Sequence, residues 1–558
     1  MTHTAADLRS RLAYEPHELA FGTSGRRGEV IHLTQLEIYI TALAEVRYLL
    51  SLPRAEGGIA AGEEFYFGYD LRPSSSRFVA AQQGRGELAQ AVERAIRDAG
   101  MRPVNLGRIP TPAVACYALS RHRGCMMVTG SHIPFDRNGY KTYTASGELL
   151  KRHEEPVNRE VARVRAMLYG QPFEESLFNE MGFFKTGHTD LMEEDGAARS
   201  AYIERYLRFF AGLSLGGQRL VVYQHSSVGR DILVEILQGL GAEAIPAGRS
   251  ETFVPLDTEN VDDAALAAAQ AMVDEAAVHG AVTAVVSADG DADRPLILGV
   301  DRATGKVRFF GGDLVGMVVA EYLGTDAAVV PVSCNDAIDR GSLAAVTQPK
   351  TRIGSPYVIA GIERARQAGC KRVCGWEANG GFLTGSDLVR SGHTLGALPT
   401  RDAALPILAV LFAAQQQGLP LTALFDRLPK RFSRAALLKQ FPRSVALEIV
   451  RSLSPEDAGV QEVVFGTGAV SPEMEGIRRR LGGFFTSGLG FGAIARLNYV
   501  DGVRVVFGNG DVAHFRPSGN ADEFRIYAVA DTQERADAIT RAAVAEPDGI
   551  LRRMERAR

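Results

Sequence analysis

Three aspartates alternate in the segment ADGDADRP: Asp289, Asp291 and Asp293. They follow an apolar run, Ala281 to Ser287, that reads as a buried strand. Alternate positions on a loop can turn three carboxylates towards one cation, and such hard oxygen ligands suit Mg²⁺ or Ca²⁺. An EF-hand starts with the same spacing, but its Gly and Glu positions hold Arg294 and Val300 here. Arg294 would help to balance the acidic charge. The bland alternative is a solvated acidic turn. Against it, three carboxylates so close together repel one another unless something neutralises them.

A second loop, TGSHIPFDRNGYK, runs from Thr129 to Lys141 and also follows a strand pattern. Ser131 is expected to be exposed at its start, with His132 beside it. Adjacent residues are poorly placed as a nucleophile–base pair, and no G-x-S-x-G elbow occurs in the chain. A phosphorylated serine would instead need a metal and nearby cations. Taken alone, a serine placed like Ser131 is more often an ordinary loop serine.

Three further loops could bind anions or hydroxyls. FGTSGRRGE, Phe21 to Glu29, offers glycine amides with Arg26 and Arg27. GWEANGGF, Gly375 to Phe382, offers Glu377 and Asn379 to paired sugar hydroxyls, with Trp376 at the rim. RPSGNADEFR, Arg516 to Arg525, could cradle a phosphate with Arg516, Ser518, the Gly519 amide and Asn520. In QHSSVGR, Ser226 or Ser227 is expected to cap the following helix. GLGFG, Gly488 to Gly492, leads into a strand pattern and is a poor dinucleotide fingerprint.

The elements that must position these loops alternate between strand and helix patterns. Strands are expected over Phe65–Tyr69, Pro103–Leu106, Cys125–Val128 and Arg219–Tyr223, and helices over Phe78–Ala99, Ala113–Leu119 and Arg230–Gly239. That alternation predicts parallel α/β sheets. A third round holds a helix over Tyr357–Ala368 and a strand over Lys371–Gly375. From about Pro429 the pattern changes. Gly502 to Phe515 alternates like antiparallel strands around Gly508-Asn509-Gly510.

The 558 residues exceed one hydrophobic core. The net charge is -4, which gives no basic excess for nucleic acid. The N-terminus has no apolar signal region, and the apolar run Ala403 to Ala414 is too short to span a bilayer. The five cysteines include one close pair, Cys370 and Cys374, with no partner pair for zinc. These features lead us to expect a cytoplasmic protein with reduced cysteines.

In order along the chain, FGTSGRRG, TGSHIPFDRNGYK, DGDADR, GWEANGGF and RPSGNADEFRIY resemble the α-D-phosphohexomutase superfamily. GYDLRPSSSRF, GGDLVG and TRIGSPYVI lie where that family would place them. The resemblance covers nearly the whole chain. It implies three related α/β domains, with mixed sheets between helices, and a C-terminal α+β TBP-like domain around a central cleft. The expected divisions are 1–185 with the serine loop, 186–305 with the metal loop, 306–428 with the sugar loop and 429–558 with the phosphate loop.

It also implies roles. Ser131 would carry the phosphoryl group, and Ser131, Asp289, Asp291 and Asp293 would hold Mg²⁺. Arg27, His132 and Lys141 would stabilise charge and move protons. Arg294, Glu377, Asn379, Arg516, Ser518, Gly519 and Asn520 would bind substrate. The implied reaction interconverts hexose 1-phosphate and hexose 6-phosphate through a hexose 1,6-bisphosphate. The implied assembly is a monomer or homodimer without nucleic-acid or membrane partners.

The loops look most like the phosphomannomutase branch, with glucose or amino-sugar mutases as alternatives. This chain departs from common family loops at Gly130, Ile133, Asn379 and Asn520. A phosphohydrolase would have little use for the distal phosphate loop. A non-catalytic sugar-phosphate binder would not need Ser131 and all three aspartates.

Overall fold

The computed structural model describes residues 6–22, 25–186, 190–259, 261–466, 468, 470–518 and 522–558. The chain divides into two compact units. One comprises Met1–Phe310 with Gly380–Thr422, and the other Gly311–Asn379 with Ala423–Arg558.

The first unit contains two five-strand arrangements built alike. In the first, Arg102–Arg108, Glu64–Tyr69 and Cys125–Val128 lie side by side and parallel. Arg137–Thr144 then pairs antiparallel with Cys125–Val128, and Arg26–Glu29 adds outside it. In the second, Glu243–Arg249, Arg219–His225 and Ala284–Ala288 are parallel. Pro295–Val300 pairs antiparallel with Ala284–Ala288, and Val307–Phe309 adds outside it. Both sheets therefore share the order second, first, third, fourth, with only the fourth of these strands reversed. The sequence shows no repeat strong enough to reveal this kinship.

In both sheets the reversal follows the third strand, so a short connection leaves a buried strand and must turn back at once. The first such connection carries Ser131, and the second carries the three aspartates. The strands before them, Cys125–Val128 and Ala284–Ala288, are buried throughout. Parallel strands covered on both faces need such apolar runs.

Helices cover these sheets. Gln35–Ser51 begins at Thr34, whose hydroxyl accepts a 3.0 Å hydrogen bond from the Glu37 amide. Its Leu36, Ile40 and Leu43 join Phe65, Phe67, Leu88 and Val92 in one core. The expected helix over Phe78–Ala99 is shorter. Phe78–Val79 and Arg85–Gly86 form a small antiparallel pair, and the helix is Leu88–Asp98. Glycines at 84 and 86 with positive φ explain the early turn. The expected serine cap before Arg230–Gly239 is also corrected. Gly229 precedes that helix, Ser226 bonds to Val254, and Ser227 bonds to Asp289.

The second unit contains the parallel pair Ala327–Val329 and Val373–Trp376. It also has an antiparallel sheet in the order Phe432–Lys439, Glu523–Ala530, Val512–Pro517, Val503–Phe507, Ile494–Asn498, Glu462–Val464. Val503–Phe507 and Val512–Pro517 form the expected hairpin. The GLGFG segment begins within the short 3₁₀ turn Ser487–Leu489, and the strand Ile494–Asn498 follows it, with no α-helix opening there. Among the described residues, no helix is long and apolar enough to cross a membrane. The five cysteines are free.

Candidate active site

The aspartate loop is the turn between two antiparallel strands, in which Ala288 pairs with Pro295. The tightness of this turn brings one ligand oxygen from each of Asp289, Asp291 and Asp293 within 4.8 Å of the others. All three residues are fully buried. Isolated buried carboxylates are costly, so partners must compensate.

Lys141 supplies much of that compensation. Its Nζ donates to Asp291 Oδ2 at 2.7 Å and to Asp293 Oδ2 at 2.6 Å. The Thr111 hydroxyl donates to Asp291 Oδ2 at 2.5 Å. Arg401 donates to Asp293 Oδ2 through Nη2 at 2.9 Å and through Nε at 3.1 Å. The Ser131 hydroxyl and the amides of Asp293 and Arg294 donate to Asp289. What remains is informative: Asp291 Oδ1 and Asp293 Oδ1 are buried without a hydrogen-bond partner. Two orphaned carboxylate oxygens beside a third carboxylate fit a hard divalent cation.

The charges divide unequally. Burial, reinforced by Asp291 and Asp293, pushes Asp289 well above the ordinary carboxylate range. Burial also opposes ionisation of Asp293, but Arg401, Lys141 and Arg294 outweigh it and hold that carboxylate low. Asp291 is likewise held low, because Lys141 and Thr111 overcome burial and the neighbouring Asp293.

Ser131 sits in this cluster with its Oγ 2.7 Å from Asp289 Oδ2. It is fully buried, which corrects the expectation of an exposed serine. Its φ of +55 places it in the left-handed region. Surrounding bonds impose that turn. The Ser131 amide donates to Thr129 Oγ1 at 2.8 Å, and Thr129 donates to Asp70 at 2.7 Å. Arg72 donates to the carbonyls of Ser131, Ile133, Pro134 and Arg137. A Cβ at residue 130 would lie 2.6 Å from the Arg72 guanidinium, so Gly130 leaves it room. A Cβ at residue 290 would lie 2.6 Å from the Ser131 carbonyl, so Gly290 permits the two loops to approach.

His132 Nδ1 lies 3.5 Å from Ser131 Oγ. Burial, with Arg294 and Arg27 nearby, depresses its pKa well below the usual value and keeps the ring neutral. Burial and Arg294 lower Arg27 to about 10. Arg27 Nη2 is buried without a hydrogen-bond partner. Its neighbour Arg26 belongs to the core instead, donating to Glu45 and to the Leu19 carbonyl at 2.6 Å each. Successive strand residues face opposite sides, so only one of the two arginines reaches the site. Arg294 Nε lies 3.7 Å from Asp293 Oδ1.

The remaining predicted residues lie in the second unit. Glu377 and Asn379 follow the strand Val373–Trp376 and are both buried. Trp376 does not stand at a rim. It is fully buried, donates from Nε1 to the Asp313 carbonyl at 3.0 Å, and packs where a Gly316 Cβ would clash. Arg516 is the penultimate residue of the strand Val512–Pro517, with Nε 3.2 Å from Asp501 Oδ1. Ser518 is buried, and its amide donates to the Glu523 carbonyl at 2.9 Å. Gly519 and Asn520 lie outside the described residues, as do Thr23 and Ser24.

Sequence reasoning missed Thr111, Asp70, Arg72 and Arg401. Arg401 and Asp402 left one signal, a charged pair directly before the apolar run Ala403–Ala414. Asp70 and Arg72 stood in a noted segment, GYDLRPSSSRF, without a role attached.

Two family models match the chain. Residues 18–166 match "Phosphoglucomutase/phosphomannomutase, alpha/beta/alpha domain I", and residues 311–432 match domain III of the same family. A phosphomannomutase of Sinorhizobium fredii is 36% identical over 519 residues, covering 93% of this chain and 96% of the relative. A phosphomannomutase of Salmonella muenchen is 33% identical, covering 92% and 93%. Among solved structures, a phosphoglucomutase/phosphomannomutase family protein of Burkholderia thailandensis superposes with a TM-score of 0.63. It is 18% identical, with 97% of this chain and 98% of that chain covered.

Proposed function

This chain belongs to the phosphoglucomutase/phosphomannomutase family of isomerases, and from that premise we propose that it interconverts mannose 1-phosphate and mannose 6-phosphate through a phosphoserine at Ser131. The observation that carries this reading is the 2.7 Å bond from Ser131 Oγ to Asp289, inside a carboxylate cluster with two orphaned oxygens.

In the forward half-reaction the phosphoryl group leaves Ser131 Oγ for the free hydroxyl of the hexose monophosphate. The bond from phosphorus to the serine oxygen breaks, and one to the sugar oxygen forms. The sugar hydroxyl proton ends on Ser131 Oγ, and neutral His132, 3.5 Å from that oxygen, is placed to carry it. The product is a hexose 1,6-bisphosphate. Reversal with the other phosphate restores phosphoserine and releases the isomer.

Asp289, Asp291 and Asp293, with an oxygen of the phosphoserine, would hold Mg²⁺. When bound it supplies charge neutralisation on the phosphoryl oxygens. Lys141 and Arg401 keep Asp291 and Asp293 ionised for that role. Arg27 and Arg294 add positive charge where the phosphoryl group moves. Glu377 and Asn379 would accept sugar hydroxyls, and Arg516, Ser518, Gly519 and Asn520 the phosphate that is not reacting.

The fourfold division at residues 185, 305 and 428 and a cytoplasmic location belong to the same reading. The matches of domain I and domain III to separate segments support the division. The mannose assignment rests on the two phosphomannomutase relatives. Phosphorus NMR of the protein with Mg²⁺, a trace of hexose 1,6-bisphosphate and either mannose 1-phosphate or glucose 1-phosphate tests it. Faster conversion of the mannose ester supports the reading. Faster conversion of the glucose ester moves the substrate to glucose, and release of free phosphate alone would make the protein a hydrolase.

A further inference from the structure

One buried cation of the cluster lies outside all the predicted loops. Arg401 sits in the strand Leu398–Asp402, with only 5% of its side chain exposed. Its Nη2 and Nε both donate to Asp293 Oδ2, the oxygen that Lys141 also contacts. Asp293 Oδ1 is left without a hydrogen-bond partner.

Two features fix the arginine there. The next residue, Asp402, accepts hydrogen bonds from the buried hydroxyls of Tyr202 and Tyr206 and from the amides of Ala404 and Leu405. That pins the backbone at the strand's end. On the other side the chain offers Gly381, where a Cβ would stand 2.4 Å from Arg401 Cδ and 2.7 Å from Cγ. The glycine gives the extended side chain its path to Asp293.

We propose that Arg401 is a positioning residue that restricts Asp293 to one ligand oxygen and thereby sets the cation preference of the aspartate loop towards Mg²⁺ over Ca²⁺. The reasoning is geometric. Mg²⁺ requires near-octahedral single-oxygen contacts at about 2.0–2.1 Å, whereas Ca²⁺ accepts more oxygens, including both of one carboxylate, at about 2.3–2.6 Å. With Oδ2 held by Arg401, the carboxylate cannot turn both oxygens to a cation. Without Arg401, Asp293 Oδ2 keeps the hydrogen bond from Lys141, which Lys141 shares with Asp291, and the carboxylate turns more freely. The inference rests on the metal reading of the loop.

The test is calorimetric titration of the full-length, unphosphorylated protein with Mg²⁺ and, separately, Ca²⁺. Arg401→Met, Arg401→Lys and Gly381→Ala are compared with wild type. Arg401→Met should raise the ratio of Ca²⁺ to Mg²⁺ affinity by about threefold or more. Gly381→Ala should shift it the same way, because its methyl group displaces an arginine that is still present. Arg401→Lys, which keeps a cationic donor, should stay near wild type.

If wild type binds Mg²⁺ and neither Arg401→Met nor Gly381→Ala changes the ratio, the inference is overturned while the metal reading stands. An Arg401→Lys shift as large as that of Arg401→Met also overturns it. If wild type binds neither cation, the metal reading fails and takes the inference with it. Should Arg401→Met fail to fold by circular dichroism, Gly381→Ala decides.

Discussion

Ser131 Oγ lies 2.7 Å from Asp289 Oδ2, although the two residues are 158 positions apart in the chain. Of the three loop aspartates, Asp289 is the one whose pKa is pushed up, by burial and by its two neighbours. The serine and the carboxylate that most needs a proton or a cation therefore face each other directly.

Replacing Ser131 with Ala removes the proposed phosphoryl carrier and leaves the aspartate cluster in place. Mutase activity should fall by at least about 10³-fold, a barrier increase of about 4 kcal/mol. Equilibrium binding of hexose phosphate should survive. A coupled assay with a parallel binding isotherm checks both halves. Retention of most of the activity would remove Ser131 from the mechanism.

Arg72 is buried, lies 3.4 Å from buried Asp70, and donates to four carbonyls of the serine loop. Arg72→Met removes the cation beside Asp70 and the donor to those carbonyls. Loss of one partner from a buried pair costs about 3–5 kcal/mol. Urea unfolding should show a lowered midpoint, and activity should fall because the left-handed turn at Ser131 loses its support. An unchanged midpoint would contradict this role.

His225 is fully buried, its Nε2 lies 2.8 Å from the Ala288 carbonyl, and burial holds its pKa at about 4. The unfolded chain binds the proton from about pH 6.5, so the folded state is favoured above that value. Stability is then lost as pH falls from 6.5 towards 4, by about 1.4 kcal/mol per pH unit for this one group. His225→Gln should flatten the pH dependence of the unfolding free energy by that slope. Parallel curves for the two proteins would show that His225 titrates normally.

Arg516 acts, on the reading proposed above, on the phosphate that is not being transferred. Charge-assisted hydrogen bonds to such groups contribute about 1.5–3 kcal/mol. Arg516→Met should therefore raise KM for the hexose phosphate at least about tenfold. The slow loss of the phosphoserine phosphate to water should continue at the wild-type rate. Steady-state kinetics and a phosphoenzyme decay curve separate the two. An unchanged KM would leave the phosphate loop without its assigned role.

The chemistry was largely legible in the chain because it is concentrated in short loops. Asp289, Asp291 and Asp293 are neighbours in sequence, so their spacing alone pointed to a cation, and the structure gathers their oxygens within 4.8 Å. The alternating strand and helix patterns gave the fold class, because periodicity is a local property of the chain. Even the missing helical start at Phe78 had a local cause in glycines with positive φ.

Burial and long-range partners were decided only by the tertiary structure. Whether Ser131 is exposed depends on Arg72 and Asp289, which reach it from 59 and 158 positions away. Arg26 and Arg27 are identical in type and adjacent, and only strand pairing sends one to Glu45 and the other towards the aspartates. Arg401 had no recognisable spacing at all, because its meaning lies in a contact with Asp293 across 108 positions. A sequence records residue types and near neighbours. Charge compensation in a buried site acts through space, and folding alone decides which distant cation meets which carboxylate.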